Sequence, residues 1–151
     1  MDRVDNDWST KKKAHHSSGE LMQEPKLTDQ QVQEMLSSGV FELGAHTISH
    51  ANLQALDLQQ KFFEIEQSKL QLEEKFKVKV ESFAYPFGIF DEQDCKIVED
   101  NGFCNAVTTE NGVNTNLKRN NFRLKRLKVS GKDNLYAFKL RITRGRRGFN
   151  K

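Results

Sequence analysis

Long apolar runs are absent from this sequence, cysteine and proline occur twice each, and no histidine follows His50. No stretch approaches the roughly 18 apolar residues of a membrane span, which removes a transmembrane helix as an organising element. Cys95 and Cys104 form neither a CxxC redox pair nor a zinc-knuckle pattern, so they read as buried thiols and leave the redox compartment open. An excess of one charge is missing too: 24 Lys and Arg against 21 Asp and Glu leave +3, too little for a bulk field toward nucleic acid or membrane. Met1 to Glu20 is polar throughout, unlike a signal peptide, so as written the chain reads as soluble and cytoplasmic, with export left to a longer native form. What is present is 151 residues with 36% hydrophobic side chains, enough for one modest core.

Residues 1–26 read as a flexible polar arm, with Lys11, Lys12, Lys13, His15 and His16 solvated and left out of any site. The domain then occupies 27–151. Thr28 is placed to cap a helix carrying Val32, Met35 and Leu36, and Gly39 to end it. Val40 to Ala45 reads as a short, mostly buried strand ending at His46. Leu53 to Phe76 is the longest helical candidate, with Leu56, Leu58, Phe62, Phe63, Ile65, Leu70 and Leu72 apolar and the phenylalanines read as core or pocket lining. Val78 to Tyr85 reads as a strand stopped by Pro86 and Gly88, and Asp91 as the cap of a helix reaching about Asn101. A strand over Cys104 to Thr108, one over Phe122 to Val129 and a helix over Asp133 to Thr143 complete the series. The alternation predicts an α/β fold with parallel strands, crossover helices and reactive side chains at the strands' C-terminal ends.

His46 and His50 stand four residues apart at such an end, and a helical turn would place both rings on one face, converging on one divalent ion. The spacing alone is weak. Small Gly44 and Ala45 before the pair, and Phe83-Ala84-Tyr85-Pro86-Phe87-Gly88 at the end of the next strand, give it context.

Gly44 to Leu53 resembles the H-[ST]-x-x-H metal motif of the polysaccharide deacetylase family, and Phe83 to Gly88 resembles its Y-P-[FY]-G motif. Gly102-Phe103 with Ala106 to Thr109, and Arg126 to Val129, resemble later strands of the same family, so the resemblance covers about Leu27 to Thr143. It implies a distorted (β/α) barrel and a divalent ion, most often zinc, that serves hydrolysis of N-acetyl groups on acetylated amino sugars in a polysaccharide. Carried over residue by residue, His46 and His50 would be metal ligands and Thr47 the supporting hydroxyl residue. Tyr85, Pro86 and Phe87 would contact substrate, with the Phe87 backbone N–H as oxyanion donor.

The departures carry equal weight. The T-F-D-D-G strand that supplies the family's metal aspartate and base has no counterpart, and Asp2, Asp5 and Asp7 follow no strand. Ala84 replaces the usual arginine, no later histidine can serve as acid, and Arg126 is the one basic residue with a claim on the site, Arg123 being read as solvent-facing. The expectation is therefore a partial barrel lacking its first strands, open to association through an exposed sheet edge and weak or inactive by itself. Two other readings stand beside it: an inactive domain that binds glycan or metal, and an interaction module using Arg141, Arg144, Arg146 and Arg147.

Overall fold

The computed structural model describes residues 27–117, 121–129, 131 and 133–145. The arm read over 1–26, with His15, His16, Asp2, Asp5 and Asp7, and the tail residues Arg146 and Arg147 lie outside them.

Four short polar side chains start the four α-helices of the described residues. Thr28, Asp57, Asp91 and Asn134 each accept a hydrogen bond from the backbone N–H three residues on, which satisfies a donor the helix cannot pair internally. The first three are reciprocal capping boxes closed by Gln31, Gln60 and Asp94. They begin α1 (Asp29–Ser37), α2 (Leu58–Phe76) and α3 (Glu92–Asp100), while Asn134 begins α4 (Leu135–Arg144). Because Asp57 starts a new helix, the helix expected from Leu53 breaks into a 3-10 turn (Leu53–Ala55) followed by α2.

The strands are β1 (Gly44–Ala45), β2 (Ser82–Ala84), β3 (Asn105–Asn111) and β4 (Leu124–Arg126), in the order β1-β2-β3-β4 and all parallel. Ala45 pairs with Phe83 and Phe83 with Ala106, so β1, β2 and β3 end side by side and their C-terminal loops meet. β1 and β4 are the edges of this sheet.

Its core is made by Ala45, Val80, Phe83, Tyr85 and Ala106 from the strand region, packed on Ile65 of α2, Cys95, Ile97 and Val98 of α3, and Leu53 and Phe103 from the connections. The α2 residues that turn inward are Lys61, Ile65, Ser68 and Phe76, at helical spacing. Lys61 is buried with Asp94, which is fully enclosed; their charged atoms lie 2.9 Å apart, and Gln54 donates to the second Asp94 oxygen at 2.6 Å. The pair fastens α2 to α3.

Several sequence expectations are corrected. Val40 and Phe41 are exposed rather than buried, because only Gly44 and Ala45 of that run meet a neighbouring strand. Phe62 and Phe63 lie on the outer face of α2, not in the core. Cys95 is buried as expected, whereas Cys104 is exposed in the turn before β3.

Candidate metal centre

The loop leaving β1 is not helical. Thr47 and His50 both adopt left-handed backbone angles, φ 62° and 59°, and these two reversals fold His46-Thr47-Ile48-Ser49-His50 back on itself. The imidazoles consequently meet, their centroids 4.8 Å apart with the rings edge to face. The convergence that sequence spacing predicts through a helical turn is achieved by a tight irregular loop. Phe87, in the loop after β2, has a third such angle at φ 59°, so three of the four left-handed non-glycine residues among the described residues gather here. Each costs on the order of 1–3 kcal/mol, and clustering of this kind is typical of functional sites.

Neighbouring groups fix each part. His46 Nδ1 lies 2.6 Å from the carbonyl oxygen of Ala84 at the end of β2. A carbonyl only accepts, so the proton sits on Nδ1 and the lone pair on Nε2, the tautomer that suits a metal ligand. His50 packs against the Phe87 ring, centroids 4.6 Å apart. Thr47 is fully buried, and its Oγ1 has no hydrogen-bond partner among the described residues.

Pro86 begins a 3-10 turn (Pro86–Gly88) whose bonds run from Gly88 N–H to the Tyr85 carbonyl and from Ile89 N–H to the Pro86 carbonyl. The Phe87 N–H takes no part in them. Gly88 is required there: at φ 69°, a Cβ would fall 2.0 Å from Thr109 Oγ1.

Two substrate candidates turn away from this site. Tyr85 is buried in the core, stacked on Phe90 at 4.4 Å, and its hydroxyl donates to the Phe122 carbonyl at 3.0 Å. Burial first, then the hydrogen bond with the Cys95 thiol, pushes its phenol above the ordinary range. Pro86 is enclosed as well, which leaves Phe87, 52% exposed, as the accessible member of the trio.

Arg126, at the end of β4, donates from its Nε to the Thr108 carbonyl at 2.6 Å. Arg123 is ion-paired with Glu92 and lies over the Phe90 ring, so it is not the freely solvated side chain the sequence suggested.

Sequence reasoning missed Glu64 of α2, whose carboxylate accepts from the N–H groups of Ile48 and Ser49 at 2.8 and 3.0 Å and from the Ser49 hydroxyl at 2.7 Å. One signal was available: Glu64 shares the stripe of Lys61, Ile65 and Ser68, a carboxylate on the inward face of an amphipathic helix. Among the described residues, no group of three or more His, Cys, Asp or Glu side chains is arranged to hold a metal ion. The imidazole pair is one ligand short of the three protein ligands usual in catalytic zinc sites.

A parallel sheet with outer helices and a strained histidine loop at its C-terminal end defines a class, and comparison with known proteins identifies it. The polysaccharide deacetylase family matches residues 9–106. The match begins inside the segment read as an arm and ends before β3 does. YxkH of Bacillus subtilis (strain 168), which carries the same family name, is 33% identical over 104 residues, covering 69% of this chain and 37% of the relative. The polysaccharide deacetylase BC0361 from Bacillus cereus superimposes with a TM-score of 0.69 at 25% identity, over 82% of this chain and 39% of that one. The Streptococcus pyogenes deacetylase PplD, solved in complex with acetate, does so with a TM-score of 0.66 at 23% identity, over 72% and 47%. The chain belongs to the polysaccharide deacetylase family, and its sheet is part of that family's distorted (β/α) barrel. It spans less than half the length of each of these relatives.

Proposed function

We propose that this chain carries the two-histidine part of the metal site of a hydrolase that removes N-acetyl groups from acetylated amino sugars in a polysaccharide. The observation behind this reading is the imidazole pair at 4.8 Å with the His46 proton held on Nδ1 by the Ala84 carbonyl. His46 and His50 would hold the ion, with zinc the expected metal. A divalent ion bound there supplies Lewis acidity toward the acetamide carbonyl and lowers the pKa of a water molecule.

The remaining roles belong to the chain's own groups. The Phe87 N–H, unused by its turn, is assigned as donor to the oxyanion that develops on the acetamide oxygen. The exposed Phe87 ring, set edge-on against His50, offers an apolar face for a sugar ring. Thr47, fully buried in the loop between the two imidazoles, is assigned as the supporting residue. Since the described residues supply two of the usual three ligands, the chain by itself is expected to hydrolyse weakly or to bind metal and glycan without turnover.

The test is acetate release from chitin oligomers in the presence of zinc, for wild type and for His46→Ala/His50→Ala. Acetate released by wild type and lost in the variant supports hydrolysis with a complete site. Histidine-dependent zinc binding without acetate supports the binding role alone, and absence of both overturns the proposal.

A further inference from the structure

We propose that Glu64 is a positioning residue for the imidazole pair: its carboxylate, reaching from α2 to Ile48 and Ser49, holds the loop in the shape that makes His46 and His50 meet. This rests on reading the pair as a metal site, although its structural half can be tested without metal.

The geometry is specific. Ile48 and Ser49 are the two residues between the left-handed Thr47 and the left-handed His50, so their N–H groups point where the loop reverses. Successive N–H groups in such a segment form a small anion-binding concavity. Here the protein's own carboxylate fills it: Oε2 takes both N–H groups, at 2.8 and 3.0 Å, and Oε1 takes the Ser49 hydroxyl at 2.7 Å. Both oxygens are thereby engaged, which argues against Glu64 as a metal ligand in this arrangement. The backbone of α2 gains nothing from these bonds, because the helix is started by Asp57 and Gln60 seven and four residues earlier. All three bonds serve the loop. Hydrogen bonds to a charged acceptor are stronger than neutral ones, so three on one loop suit the task of holding two unfavourable backbone conformations in place.

The consequence for function is indirect and measurable. Groups that orient metal-binding imidazoles without touching the ion typically change metal affinity by about 10–100-fold when removed. Glu64→Ala removes every acceptor, whereas Glu64→Gln keeps one, uncharged oxygen for the two N–H groups and turns its NH2 toward the Ser49 hydroxyl, so Gln should fall between wild type and Ala.

The experiment is made on the full chain, wild type, Glu64→Ala and Glu64→Gln. In metal-free protein, ring-to-ring nuclear Overhauser effects between His46 and His50 are recorded, and zinc affinity is then measured by competition with a chromophoric chelator. The expected result is a ring contact in wild type that is lost in Glu64→Ala, with the zinc Kd raised about 10–100-fold. Contacts within the core, such as Phe83 with Tyr85 and with Phe103, should be retained. Retention of both the ring contact and the wild-type Kd in Glu64→Ala would overturn the proposal. Should the Ala variant fail to fold, Glu64→Gln decides by the same two readouts. Should wild type bind no zinc, the metal reading fails, and the ring contact still decides whether Glu64 shapes the loop.

Discussion

His46 Nδ1 and the Ala84 carbonyl oxygen, 38 residues apart in sequence, meet at 2.6 Å and tie the loop after β1 to the end of β2. In metal-free protein above the imidazole pKa, long-range proton–nitrogen correlation spectra should show His46 as the Nδ1–H tautomer. Protonation on Nε2 would contradict the geometry, since Nδ1 would then have no hydrogen to give the carbonyl.

Tyr85→Phe separates a structural role from a substrate role. Losing the hydroxyl removes the donor from the Phe122 carbonyl and is expected to cost about 1–3 kcal/mol in urea unfolding. Affinity for N-acetylated oligosaccharide should stay as in wild type. A selective loss of glycan binding with unchanged stability would show that the hydroxyl reaches substrate after all.

Lys61 and Asp94 make a buried pair whose halves are unequal to their sum. Lys61→Met strands the enclosed Asp94 carboxylate and is expected to destabilise by about 3–5 kcal/mol, while Lys61→Met/Asp94→Leu should recover much of that. Equal losses in the single and double variants would show that the stranded carboxylate carries no penalty of its own.

The same cluster shapes stability against pH. Burial pulls the Lys61 ammonium down, and the hydrogen bond and attraction of Asp94, with help from Asp91, outweigh it, so its pKa stands above the ordinary value. That contribution is complete below about 10.4 and is lost as pH rises through the folded value. For Asp91, burial works upward and is outweighed by the Asp94 N–H, Gln54 and Lys61, which hold it below the ordinary range. Its contribution is present above about 3.9 and is lost as pH falls through the folded value. Stability should therefore be flat from these groups between the two limits, and Asp91→Asn should soften only the acid limb, modestly because the side chain is 44% exposed.

Gly88→Ala combines a left-handed φ with a collision against Thr109. The expected cost is more than about 1 kcal/mol, with displacement of the Phe87 turn visible as altered ring contact between Phe87 and His50. A variant as stable as wild type would mean that β3 yields easily at Thr109.

Much of the fold is legible because local chemistry announces it. Thr28 and Asp91 cap where expected, Pro86 stops β2, and the alternation of elements gives four parallel strands and four α-helices among the described residues. Boundaries set by pairing are less readable: β1 shrinks to Gly44–Ala45 because hydrogen-bond partners, not apolar character, define a strand. The His46/His50 juxtaposition is visible in the motif, but the left-handed angles of Thr47 and His50 are not, since β-branched Thr disfavours them and His adopts them in only a minority of cases. That Tyr85 turns into the core is not legible either, because a motif position does not reveal which way a side chain turns at the end of a strand. Glu64 shows in the sequence only as a carboxylate on the inward stripe of a helix, because its partners lie 15 and 16 residues away across a fold still to be formed.

His46 and His50 are proposed to bind one divalent ion together. The most direct measurement is equilibrium zinc content of the purified full chain by mass spectrometry, for wild type, each single alanine variant and His46→Ala/His50→Ala. Near-stoichiometric zinc in wild type that falls in either single variant and vanishes in the double variant is expected. Zinc retained by the double variant, or none bound by wild type at any tested concentration, would contradict it.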